Sequence, residues 1–76
     1  MLSLVAGKYY IDRTRQTARE VIGIDDQSIN FISYHLDTGK SDGKLYQTLR
    51  RDFLRWADHA ASSSEVADLH SRMRKI

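Results

Sequence analysis

The spacing of apolar positions changes near the middle of this chain. From Tyr9 to Leu36 apolar residues fall in short β-branched and aromatic runs, alternating with polar ones at each end of Ser28–Leu36, and from Leu49 onward they recur on a helical spacing of three and four. A period of two belongs to a strand with one buried face and a period near 3.6 to an amphipathic helix, so strands come first and helices after. Lys8-Tyr9-Tyr10-Ile11-Asp12 is a short aromatic and β-branched run, suited to a pleated surface. Polar Arg13–Gln16 predicts a turn, and Thr17–Ile24 predicts a second strand in which Gly23 marks a bulge. Asp25-Asp26-Gln27 is a hairpin loop. Ser28–Leu36 is the strongest strand, but adjacent Phe31 and Ile32 place bulk on both faces. Either both faces are covered, or the strand switches face at a bulge. Asp37–Lys44 is a loop with Gly39 and Gly43 free to take positive φ, and Leu45–Thr48 returns as a fourth strand.

In the second half Leu49, Phe53, Trp56, Ala57 and Ala60 share one helical face behind Thr48 as N-cap, which predicts a helix over 49–60. Ser62 and Glu65 match a capping box ahead of a terminal helix over 63–75. Along that helix Val66, Leu69, Met73 and Ile76 form a narrow seam, and Arg72, Arg74 and Lys75 sit where the helix dipole favours cations. The order β-β-β-β-α-α predicts the α+β class, with an antiparallel meander of about four strands. Short, bent strands with a bulge predict an SH3-like small β-barrel over residues 7–48, its open end capped by Phe53 and Trp56. A curved open sheet with both helices on one face is the alternative. Trp56 is expected to be buried with Phe53, Ile22 and Ile32.

Three stretches carry a resemblance: Ala6-Gly7-Lys8-Tyr9-Tyr10-Ile11-Asp12, then Arg19-Glu20-Val21-Ile22-Gly23-Ile24, then Arg50-Arg51-Asp52-Phe53-Leu54-Arg55-Trp56-Ala57. Together they resemble small orphan proteins of bacterial phages and plasmids, over residues 6–57. The resemblance implies a Tyr-rich strand, a hairpin and a closing Phe-x-x-Trp helix, in a mobile-element setting. It brings no functional residues with it, and residues 61–76 depart from it.

Seventy-six residues predict a single domain over 1–76. A chain of this size buries only about 60% of its unfolded surface, so its core is marginal and asks for good packing or a second subunit. There is no cysteine, which removes disulfides and thiolate metal sites and fits a reducing compartment. No apolar run approaches the roughly 18 residues of a membrane span, and Met1–Ala6 is too short for a signal-peptide core. A cytoplasmic protein is expected.

The candidate chemistry is thin. His35, His59 and His70 lack the short-range pairing of a zinc site and read as surface residues. Asp25-Asp26 lacks the alternating oxygens of a calcium loop, and Gly39-Lys40-Ser41 lacks the upstream glycine of a phosphate loop. No nucleophile–base grouping and no cofactor motif is readable, so the chain is not expected to be an enzyme. Net charge is only +2, but it is uneven: residues 39–76 carry eight bases against five acids. Arg13, Arg15 and Arg19 beside Tyr9 and Tyr10, and Arg50, Arg51 and Arg55 on the first helix, read either as solvated faces or as phosphate contacts. The seam at Val66, Leu69, Met73 and Ile76 has the narrow width of a helix-pairing face. The leading expectation is a non-catalytic interaction module that binds a protein partner or a second copy through the terminal helix. The rival is a nucleic-acid-binding small barrel that uses the arginines.

Overall fold

The computed structural model describes residues 3–74. Its elements are β1 (Tyr9–Asp12), β2 (Thr17–Ile24), β3 (Ser28–His35), β4 (Tyr46–Leu49), α1 (Arg50–Trp56), β5 (His59–Ala60) and α2 (Ser63–Met73). The strands make one antiparallel sheet in the order β4-β3-β2-β1-β5. The α+β class and the meander of the first four strands follow the period-two pattern and the hairpin loops. Asp25 donates its amide to Ser28 O at 2.9 Å to close the β2–β3 turn, and Gly39 and Gly43 both take positive φ.

The sheet stays open, with β4 and β5 as its edges, and it has five strands rather than about four. An SH3-like barrel encloses its core by curling the sheet over it. Here each face has its own helix, so nothing drives closure. Tyr10, Val21, Ile29 and Phe31 pack with Phe53 of α1, while Ile11 and Ala18 pack with Leu69 of α2. Tyr10 and Ile11 are consecutive in β1 and therefore point to opposite faces. The helices thus lie on opposite faces of the sheet, not on one.

The expected helix over 49–60 ends at Trp56. Ala57 is extended, and its amide closes the last turn on Phe53 O. Beyond it Asp58 donates its amide to Ile11 O at 2.8 Å and accepts from the Arg13 amide at 2.9 Å, drawing the chain onto the edge of β1. His59 and Ala60 then pair with Ile11 and Tyr10 as β5. Thr48 is not the N-cap. It pairs with Ile29 inside β4, and Leu49 precedes α1 without a side-chain cap.

The expected core also changes. Phe53 is fully buried, but Trp56 is half-buried, Ile32 is half-buried and Ile22 is 46% exposed. Pairing runs from Val21–Phe31 to Gly23–Asn30, which leaves Ile22 as the extra residue of a bulge. Val21 and Phe31 face α1 instead, and Ile32, opposite Glu20, lies on the other face from Phe31 by plain strand alternation.

The capping box is present. The Glu65 amide donates to Ser62 Oγ at 3.2 Å, and the Ser62 amide donates to the Glu65 carboxylate at 2.9 Å. Leu69 and Met73 of the α2 seam are turned toward their own sheet, Leu69 buried and Met73 packed beside it, while Val66 is half-buried. Ile76 and Lys75 lie outside the described residues. At the far end of α2, Arg72 donates to Leu36 O, and Gly39 comes so close that an added Cβ would stand 2.8 Å from the Met73 amide nitrogen.

Candidate functional site

Strand alternation and the β1–β2 turn disperse the arginines. Arg13 is exposed beside α2, where its guanidinium pairs with Glu65 at 3.1 Å. Arg15 sits in the turn and pairs with Asp12 at 2.6 Å. Burial alone would raise the Asp12 carboxyl's pKa, but the Arg15 side chain and the Thr14 and Arg15 amides hold it below the usual range. Arg50, Arg51 and Arg55 are exposed along α1. Arg13 and Arg15 thus belong to the β1–β2 turn, with Arg15 close enough to Arg19 for their charges to interact, while the other three belong to α1.

Arg19 stands apart. It lies in the middle of β2, opposite Tyr10 on one side and Ser33 on the other. Its guanidinium carbon is 4.2 Å from the Phe31 ring centroid, 4.1 Å from Trp56 and 5.6 Å from Phe53. Arginine over aromatic faces gains cation–π attraction, more so when desolvated. Among the described residues no carboxylate pairs with this guanidinium. Burial first, and the neighbouring Arg15 charge second, lower its pKa, yet an arginine remains charged in a protein.

Beside Arg19 the sheet face opens into a groove of about 260 Å³, lined by Phe31, Ser33, His35, Ser41, Asp42 and Tyr46. The Tyr46 ring stacks against Phe31 at 5.8 Å and 24°, and the residue is 40% exposed. Asp42 accepts from the Tyr46 hydroxyl and from the Lys44 amide at 2.9 Å. Those bonds, the Tyr46 one foremost, keep its carboxyl below the usual range, so it is ionised at neutral pH. The groove therefore has a donor fork at one wall and an anionic acceptor at another.

The β4 edge is a second exposed feature. Leu45, Tyr46 and Leu49 are 61%, 40% and 42% exposed, and among the described residues the other large exposed apolar side chains are Val5 and Ile22. Arg50 donates its amide to Gln27 O at 2.8 Å. Alternation along an antiparallel ladder then turns the amides of Gln47 and Leu49 away from β3, toward open solvent.

The α2 face is occupied by polar side chains that satisfy one another. Tyr34 donates to Glu20 at 2.9 Å, Tyr9 Oη lies 3.2 Å from His70 Nε2, and His59 Nε2 lies 3.0 Å from Glu65. Burial, then the bond to Glu20, raises the Tyr34 pKa. His59 and His70 are thus half-buried hydrogen-bonding residues rather than simple surface groups, and only His35 is exposed. Among the described residues no three of His, Asp and Glu gather as metal ligands, and no helix is long and apolar enough to cross a membrane. Val66 faces an open groove shared with Ala60, Ala61 and Ala67.

Sequence reading nominated Arg19 but gave it the same weight as Arg13 and Arg15. Asp42 is not singled out by the sequence, where its only signal is its place in a Gly-containing loop entering a strand. Comparison with protein-family models, curated proteins and solved structures finds no match to this chain.

Proposed function

We propose that the chain is a non-catalytic interaction module of the mobile-element type, and that its docking element is the β4 edge. The occupant is an extended segment of a protein partner, flanked by acidic residues, that adds as a sixth strand. One observation carries this reading: the two edges of the sheet are treated differently. Natural sheets defend their edges with charge, proline, bulges or very short strands. The β5 edge is two residues long, whereas β4 reads Tyr-Gln-Thr-Leu, with no charge, no proline and little burial. Added strands bind through main-chain hydrogen bonds and gain specificity from alternate side chains, and β4 offers both through the Gln47 and Leu49 amides and its exposed apolar groups. Its flanks hold Lys40, Lys44, Arg50 and Arg51 against Asp42 and Asp52. That excess of positive charge disfavours a second copy of the same edge and favours an acidic strand.

A displayed library of extended peptides, selected against the intact chain, tests this. Alternating apolar sequences with Asp or Glu flanks are expected, and binding should slow hydrogen exchange at the Gln47 and Leu49 amides. Gln47→Pro removes one outward donor and keeps the backbone ladder to β3, losing only the side-chain bond from Gln47 Nε2 to Ser28 Oγ there. It should weaken binding about tenfold, one well-made hydrogen bond's share. Selected peptides without acidic flanks, or with full affinity for Gln47→Pro, would overturn the proposal.

A further inference from the structure

The groove beside Arg19 brings together three demands that few ligands meet. Arg19 has five N–H donors and no acceptor. Asp42, ionised, only accepts, and it lines the same groove. The Tyr46 ring, 40% exposed and stacked on the buried Phe31, lines the groove with them and is its available aromatic surface. A phosphate or carboxylate alone would suit Arg19 but be repelled by Asp42, and an ammonium group would meet the reverse. The complementary ligand is flat, apolar on its faces, acceptor-rich along one edge and donor-rich along another.

Among nucleic-acid bases guanine has that distribution, with acceptors at N7 and O6 and donors at N1 and N2. Arginine bound bidentately to N7 and O6 is the commonest specific contact to a base. Adenine places a donor, N6, beside N7, where it would face Arg19. Unpaired bases are characteristically held by stacking on aromatic side chains while their edges are hydrogen-bonded. A groove of about 260 Å³ falls just below the usual range for drug-sized ligands, which suits one base with its sugar and phosphate left outside. Lys40 and Lys44 flank Ser41 and Asp42 on the same loop, both exposed, and supply positive charge for that phosphate.

We infer that the groove between Arg19 and Asp42 is a seat for a guanine base, Arg19 donating to N7 and O6 while Asp42 accepts from N1 and N2. The base belongs either to a free nucleotide or to a single-stranded nucleic acid. The inference rests on the sheet face and not on the outward amides of β4, and the two surfaces share Tyr46 alone.

NMR titration of the intact chain with 5′-GMP, 5′-IMP and 5′-AMP is the test. GMP should shift the Ser33, His35, Ser41 and Tyr46 amides and bind about tenfold more tightly than AMP, the discrimination of one good bidentate pair. IMP lacks the N2 amino group and should fall between them. Arg19 also covers the aromatic core, so the deciding variant is Asp42→Asn on the exposed loop, checked for unchanged melting. It should lose the preference for GMP over IMP. Tighter binding of a guanine-containing oligonucleotide than of GMP, weakening steeply with salt, would identify the strand as the source, and equal binding would identify the nucleotide. Equal affinity for GMP and AMP, shifts outside the groove, or an Asp42→Asn variant that keeps the preference would overturn the inference.

Discussion

At the scale of single residues the core rests on Phe53. It is fully buried, and its ring makes edge contacts with Tyr10 and Phe31 at 5.7 Å and a tilted contact with Trp56 at 5.4 Å. Phe53→Ala should cost about 3–5 kcal/mol, the usual range for emptying a large aromatic site. Trp56 keeps part of its surface in water and shares its face with Arg19, so Trp56→Ala should cost clearly less. Chemical denaturation of both variants decides the order, and an equal or larger loss for Trp56→Ala would contradict it. The helical spacing made Phe53 legible as core. It overrated Trp56 because the apolar stripe was read through Ala60, four residues past the real end of α1. Ile32 misled because Phe31, its equal in bulk, takes the α1 face, and Ile22 for a different reason. A bulge moves inward-facing positions by one, and the sequence marks that a bulge exists near Gly23 without marking which neighbour it expels. Arg19 was legible as a basic residue, but its aromatic bed was not, since Phe31 and Trp56 reach it from two other elements.

At the scale of elements the two helices contrast. The start of α2 was legible because a capping box is local chemistry, written in Ser62 and Glu65 alone. The end of α1 was not legible, because the chain leaves the helix to satisfy β1, a partner some 45 residues earlier in sequence. The same capping box predicts a pH response. The Ser62 amide first, and His59 second, pull the Glu65 carboxyl from its ordinary 4.5 down to about 2. A depressed carboxyl contributes stability above its unfolded value and loses it as pH falls through the folded one. The melting temperature should therefore fall between about pH 4.5 and 2, and Glu65→Gln should flatten that part of the fall. An identical acid profile for the variant would show that Glu65 contributes nothing. The opposite end of α2 depends on Gly39, whose φ of 72° and close approach to the Met73 amide exclude a side chain. Gly39→Ala should loosen that end first, seen as faster hydrogen exchange in the last turn of α2.

At the scale of the whole molecule, the class and the order of the first four strands were legible from hairpin-length breaks. Closure was not, because period-two strands look the same in a barrel and in an open sheet. What distinguishes them is whether something else covers the second face, and here α2 does so. This bears on how the terminal helix should behave when removed. If its seam existed mainly to pair with another subunit, a chain ending at Ser62 would remain a folded monomer. Leu69 is instead buried against Ile11 and Ala18, with Tyr9, Tyr34 and Leu36 packed around them. Removing α2 would uncover that whole face and strip Glu65 from His59 and Arg13. Losing one fully buried leucine costs about 1.5–3 kcal/mol by transfer alone, and small domains have only about 5–15 kcal/mol in total. A chain ending at Ser62 should accordingly lose cooperative thermal unfolding and amide dispersion, and become prone to association through the bared sheet. Circular dichroism melting with sedimentation velocity on both chains makes the comparison. A truncated chain that melts cooperatively, as a monomer, within a few degrees of the intact one would mean that the second face needs no cover, and that α2 is held in reserve for another molecule.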